Sequence, residues 1–218
     1  MDFDGLIEYE LDISRTDASP VRVLQDAAGS AKCGVGSTVW DAGIVLAKYV
    51  DWQTSEGKLD LSGKTVLELG AGTGIVGITL ACLQPKCTVV LSDKEELVPL
   101  LERNISLNKA HPNTSAKCVD WTNPEHRENV TAAPPDLILV SDGIWMKDLH
   151  AHLAETLAQL AGSNTTVLLA YETRAFDEEA QFMALWSTHF RFHDIKPQEQ
   201  HPVMQSEDIF LFSGSLKN

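Results

Sequence analysis

The sequence predicts a doubly wound α/β domain whose sheet has seven mostly parallel strands, with a short β extension at the N-terminus. Three observations carry this. From Leu61 onward, short apolar segments alternate with amphipathic helical ones, the pattern of a parallel sheet covered by helices on both faces. Val66–Leu67 and Leu137 to Val140 are apolar on successive residues, as strands buried on both faces require. One strand also runs directly into a glycine-spaced turn, Gly70-Ala71-Gly72-Thr73-Gly74, that opens a helix.

The elements follow in order. "LIEYELDI" alternates apolar with polar residues, and "VRVLQD" follows Ser19-Pro20, so both read as short strands. A glycine-spaced loop, "CGVGS", leads to "TVWDAGIVLAKYVDW", where Trp40, Ile44, Ala47 and Tyr49 to Val50 recur at helical spacing. Residues 1–38 are read as strands and loop of the same domain, and 39–218 as its main body. "TVLEL" is a strand, "GIVGITLACLQ" a helix, "CTVVLSD" a strand and "EELVPLLERNISLNKA" a helix. "SAKCVDW" is a strand, and after a polar stretch so is "PDLILVSD". "KDLHAHLAETLAQLAG" is a helix, "TTVLLAYE" a strand, and "AFDEEAQFMALWSTHF" a helix. "FRFHDIK" and "EDIFLFSG" have no helix between them, so they are expected to pair antiparallel at one edge.

Composition narrows the function. With 218 residues, 44% of them hydrophobic and 22% charged, the chain has ordinary globular make-up. No run is apolar for long enough to span a membrane, and Met1 to Ser14 lacks the basic start and apolar core of a secretory signal. A cytoplasmic protein, present also in the nucleus, is the expectation. The formal net charge of -14 repels phosphate backbones, which argues against a nucleic-acid partner. Cys33, Cys82, Cys87 and Cys118 form no C-x-x-C pair and have no histidine at zinc-ligand spacing, so reduced thiols and no metal are expected.

"VLELGAGTGIVG" is the most informative stretch. Glycines after a buried strand let the backbone turn sharply and let a ligand approach the main chain, at a helix N-terminus with free N–H groups. Gly72 to Gly77 fits the dinucleotide pattern G-x-G-x-x-G by letter. The first residue off the strand is Gly70, however, and counted from there the last glycine becomes Ile75. Asp93 ends the next strand, where a carboxylate can accept both ribose hydroxyl protons; an acid there serves several nucleotide-like cofactors. Asp120-Trp121 ends the third, where an indole offers a packing surface for a flat heterocycle.

"E-L-G-A-G-T-G" followed by an acid at Asp93 resembles the cofactor motif of seven-strand methyltransferases. With "VWDAGIVLAKYV", "VVLSDKEEL", "DLILVSDGIW" and "YETR" in this order, the chain from about Gly34 onward resembles the methyltransferase-like family of protein-lysine methyltransferases. The resemblance implies a Rossmann-like, class I fold and S-adenosyl-L-methionine as cofactor, leaving S-adenosyl-L-homocysteine. It implies that Trp40 lies over the cofactor, that Glu68, Gly70, Ala71 and Gly72 form its loop, and that Asp93 binds ribose. It implies that Asp120 and Trp121 border the adenine and that Ser141 lies near the methionine part. Asp142 opens the family's D-x-x-Y motif, but Trp145 stands where the family has tyrosine and offers no phenolic oxygen. Asp142 is the candidate to orient the acceptor amine or take its proton. Trp145, Tyr171 and Glu172 are candidates to wall its entrance, with Glu172 alternatively a partner of Arg174. The expected acceptor is a lysine on a protein, with a chaperone ATPase as the leading partner, and the expected state is a monomer. Three other readings stay open: a small-molecule or nucleic-acid methyltransferase, a cofactor-binding scaffold without activity, and an NAD-dependent oxidoreductase. "SDGIW" lacks the proline pair usual in enzymes that methylate amide or nucleobase nitrogens.

Overall fold

The computed structural model describes residues 5–14, 19–27, 34–108, 112–128 and 130–217. Cys33 lies outside them. The N-terminal segments form a hairpin of β1 (Ile7–Leu11) and β2 (Val21–Gln25), antiparallel and separate from the main sheet. α1 (Asp41–Ser55) follows. The main sheet is then built from β3 (Thr65–Leu69), β4 (Thr88–Asp93), β5 (Thr114–Cys118), β6 (Leu137–Ser141), β7 (Thr166–Glu172), β8 (Phe190–Asp194) and β9 (Ile209–Leu216). Between them run α2 (Ile75–Leu83), α3 (Val98–Leu107), α4 (His150–Leu160) and α5 (Phe176–His189).

The strand order is β5-β4-β3-β6-β7-β9-β8. β5 to β7 pair in parallel, and β9 inserts antiparallel to both β7 and β8, as the missing last crossover predicts. The order reverses at β3, so the carboxyl ends of β3, β4 and β6 border a crevice, the usual ligand position in such sheets.

Strand periodicity of two divides the core between the faces. Leu137 and Leu139 of β6 pack with α1, α2, Leu101 of α3 and the hairpin. Ile138 and Val140 pack on the other face with Leu153, Leu157 and Phe182 of α4 and α5. Two sequence expectations shift. α1 buries Ala42, Val45, Leu46, Ala47 and Val50, while Trp40 stands before the helix and is 41% exposed. The segment ending in Asp120-Trp121 stops pairing at Cys118, so both residues sit in the turn beyond β5.

Two asparagines hold β2, Asn108 at Arg22 and Asn104 at Leu24, and Asn104 also reaches the crevice. Asn104 of α3, fully buried, accepts from the Leu24 N–H at 2.8 Å and donates to the Leu24 carbonyl at 3.2 Å and the Thr73 carbonyl at 2.9 Å. It thereby completes the backbone hydrogen bonding of β2 and ties that strand to the glycine turn.

Candidate functional site

A cavity of about 430 Å³ opens at the carboxyl ends of β3, β4 and β6. Its floor is the glycine turn. Gly70, Gly72 and Gly74 have φ of 64°, 57° and 79°, values that L side chains rarely adopt. At Gly72 space forbids a side chain as well, since a Cβ would lie 2.6 Å from the Gly36 carbonyl oxygen. Residues 34–37 therefore form a strap across the turn. Ser37 Oγ donates to the Gly34 carbonyl at 2.7 Å, and the Trp40 indole N–H donates to the Val35 carbonyl at 3.0 Å. The N-terminal segment is thus a wall over the turn.

Two acids brace the floor. Asp93 accepts from the Gly72 N–H and the Lys94 N–H, each at 2.8 Å. Burial raises its pKa, and the two N–H donors oppose the rise. It lines the cavity, and these two bonds leave its carboxylate further acceptor capacity. Glu68 does not line the cavity. It is wholly buried beneath the turn, where one oxygen accepts from Gly77 N–H at 2.8 Å and the other has no partner. Burial, opposed by the Gly77 N–H, pushes its pKa up to about 8. Burial there favours the protonated carboxyl, and its bond to the Gly77 N–H joins β3 to α2.

One wall holds Val119, Asp120 and Trp121. A Cβ on Gly70 would meet the Trp121 ring at 2.8 Å, so the glycine admits the indole as well as a ligand. Arg127, itself buried, fixes the turn by donating to the Trp121 carbonyl at 2.7 Å. Burial pushes the Asp120 carboxyl up, but Thr122's N–H and hydroxyl, at 2.9 and 2.8 Å, outweigh it and hold the pKa below the usual value.

The mouth comprises Trp40, Ser141, Asp142, Trp145, Met146 and Arg174. His150, buried, holds the Ile144 carbonyl at 2.8 Å and so fixes the turn after β6. Asp142 has φ 52°, unique among the described non-glycine residues. The Arg174 guanidinium forks onto its carboxylate, with both nitrogens at 2.9 Å. Arg174 also reaches Glu172 at 2.5 Å and stands 5.4 Å from the Trp40 ring centre. Charge-assisted bonds of this kind contribute about 1.5–3 kcal/mol, less here because Arg174 is open to water. They hold Asp142 in that left-handed conformation, which a short polar side chain tolerates.

The sequence candidates divide accordingly. Trp40, Gly70, Ala71, Gly72, Asp93, Asp120, Trp121, Ser141, Asp142 and Trp145 share the cavity. Tyr171 does not: it is 7% exposed and stacks on Phe210 and Phe212 against the sheet. Strand alternation puts it on the face opposite Ala170 and Glu172, and burial pushes its phenol up to about 12. Glu172 reaches the mouth only through Arg174. Sequence reasoning missed Arg174 as a lining residue, along with the strap at Gly34 to Gly36, Glu96 and Met146. The signal for the strap was the glycines of "CGVGS".

The family model described as lysine methyltransferase matches residues 17–189. The protein N-lysine methyltransferase METTL21A of Mus musculus is 32% identical over 186 residues, 85% of this chain and 79% of that protein. The EEF1A lysine methyltransferase 3 of Xenopus tropicalis is 34% identical over 169 residues, 77% of this chain and 67% of that protein. Among solved structures, a predicted O-methyltransferase from Agrobacterium tumefaciens superposes with TM-score 0.60 at 18% identity, covering 81% of each chain. Human N-acetylserotonin methyltransferase, solved in complex with SAM, superposes with TM-score 0.54 at 15% identity, covering 78% of this chain and 52% of that one. At such identities these two likenesses establish the fold.

Proposed function

Since the chain belongs to the lysine methyltransferase family, we propose that its cavity binds S-adenosylmethionine and that its mouth presents a protein lysine for methylation. The observation that carries this is the joining of two environments in one cavity. Gly70, Gly72 and Asp93 at the floor and Trp121 in the wall line its inner part, and Trp40, Trp145 and Arg174 line the mouth.

The floor fits an adenosyl group. The volume lies in the range of small-ligand pockets. Asp93 retains acceptor capacity for vicinal hydroxyls, and Val119 and Trp121 offer an apolar face for a purine, with Asp120 at its polar edge. When bound, S-adenosylmethionine supplies a methyl group on a positively charged sulfur and leaves as S-adenosylhomocysteine. The protein's part is to align an amine with that methyl and exclude water, which supplies most of the acceleration in such displacements.

An acceptor lysine must lose its proton, and its ordinary pKa is about 10.4. Asp142 is poorly placed to take it, because both of its oxygens accept from Arg174. Its role in this reading is orientation of the mouth. Trp40, Trp145 and Met146, exposed at the mouth, offer apolar surface to a lysine's aliphatic stem, and the positive sulfur of the bound cofactor disfavours an ammonium beside it. Trp145 walls the channel without a hydroxyl.

The finer assignments belong to the same proposal. The acceptor is a chaperone ATPase, which rests on the sequence resemblance, and the enzyme acts as a monomer in the cytoplasm and nucleus without metal. Among the described residues no acid, histidine or cysteine cluster could hold a metal ion, and no helix is long and apolar enough to cross a membrane.

Incubation with a cell lysate and labelled S-adenosylmethionine, followed by hydrolysis and amino-acid analysis, tests the reading. Label recovered as methyllysine is the expected result. Label on arginine, glutamine, a carboxylate, a small molecule or nucleic acid overturns the lysine assignment. Binding without transfer points to a scaffold.

A further inference from the structure

Resting on that reading of the mouth, we propose that Arg174 is a positioning residue that sets the charge of the acceptor entrance. It occupies the carboxylates there and holds a cation beside the incoming lysine, so that the amine enters and reacts in its neutral form.

The placement of Arg174 is built rather than incidental. Glu179 of α5 accepts from the Arg174 N–H at 2.6 Å, the Ala175 N–H at 2.8 Å and the Thr173 hydroxyl at 2.6 Å. This ties the segment ahead of α5 to the helix and fixes the backbone from which Arg174 reaches the cavity. Its side chain then spans three elements. It forks onto Asp142 beyond β6, bonds Glu172 at the end of β7, and lies against Trp40 ahead of α1. A planar guanidinium suits such bidentate and ring-facing contacts, and it keeps its charge at every working pH. The hydrogen-bonded Asp142 carboxylate raises its pKa further.

The charges facing the mouth make the arrangement consequential. Asp142, Glu172 and Glu179 surround Arg174, and Asp93, Glu96 and Asp120 line the cavity with Lys94. Without Arg174 the two nearest carboxylates would be unpaired and would hold a lysine as ammonium, which has no lone pair with which to attack. With Arg174 in place both Asp142 oxygens and one Glu172 oxygen accept from it, which weakens their hold on an ammonium, and its own charge opposes a second cation beside it. The neutral amine's lone pair then forms the N–C bond as the C–S bond breaks and its electron pair goes to sulfur. The resulting methylammonium loses its proton to water through the open mouth.

The test follows methyllysine formed on unfractionated lysate protein from labelled S-adenosylmethionine, between about pH 6 and about pH 10, a span that brackets the amine's titration. Wild-type enzyme is compared with Arg174→Gln and Arg174→Lys. Calorimetry with S-adenosylhomocysteine and a thermal melt check that each variant folds and binds. Removing the cation should move the rising limb of the profile alkaline by about one unit, so that activity near neutrality falls about tenfold and recovers at high pH. Arg174→Lys should keep the limb near its wild-type position. A rate lowered equally at every pH would make Arg174 merely structural, and a rate raised at every pH would make it a plug that the substrate displaces. Either overturns the proposal. Absence of methyllysine with wild-type enzyme would instead overturn the lysine reading on which it rests.

Discussion

At the scale of single residues, the acids of the site do different work although they read alike in sequence. Glu68 near the end of β3 and Asp93 at the end of β4 both stand beside the crevice, yet the first has no access to the cavity and the second lines it. Glu68 carries a testable signature. Its folded pKa of about 8 stands above its ordinary 4.5, so the folded state holds a proton that the unfolded state releases. Its contribution to stability is full below about pH 4.5 and is lost as pH rises towards 8, at up to about 1.4 kcal/mol per pH unit. Thermal melts of wild type and Glu68→Gln at about pH 6 and about pH 8.5 should therefore differ. Wild type should lose more stability between the two, because glutamine has no proton to release; parallel losses would contradict the burial argument. Asp142 makes a second case. In Asp142→Asn both contacts with Arg174 lose their charge assistance and one hydrogen bond is lost outright, because an amide NH2 cannot accept, so turnover should fall by about tenfold or more while S-adenosylhomocysteine affinity stays close to wild type. A parallel fall in both would place Asp142 on the cofactor instead.

At the scale of elements, the N-terminal hairpin and its strap are what convert an open sheet end into a cavity. Asn104 is their joint, since it serves both backbone groups of Leu24 and the Thr73 carbonyl. Asn104→Ala should leave these groups unpaired and cost about 1–3 kcal/mol, lowering the melting temperature. It should also weaken S-adenosylhomocysteine binding, because β2 would no longer be held against the glycine turn. A variant that melts early but binds with wild-type affinity would separate the hairpin from cofactor binding. The strands, by contrast, are legible in the sequence because burial on both faces leaves few polar residues, as in "DLILV". The face of α1 is not, because Trp40 sits at helical spacing from Ile44 yet precedes the helix and turns to the mouth. Tyr171 and Glu172 are read as neighbours at one entrance, whereas the strand's alternation sends them to opposite faces. Arg174 is illegible as a lining residue, because only the folding back of the segment after β7 brings it onto Asp142.

At the scale of the whole molecule, the sheet order explains why the site lies where it does. The reversal at β3 opens the crevice, the glycine turn of β3 forms its floor, and the segments following β6 and β7 bring Asp142 and Arg174 to its mouth. The net charge of -14 favours cationic partners over polyanions. This is consistent with a lysine-bearing protein, while the floor selects the cofactor. The central claim is therefore that this cavity is an S-adenosylmethionine site with Asp93 as its ribose acceptor. The most direct measurement is calorimetric titration of wild type and Asp93→Ala with S-adenosylhomocysteine and, separately, with NAD. The expected result is affinity in the micromolar range for S-adenosylhomocysteine, corresponding to about -8 kcal/mol, weakened at least about tenfold in Asp93→Ala, and no response to NAD. Tight binding of NAD with none of S-adenosylhomocysteine, or an affinity unchanged by Asp93→Ala, would contradict it.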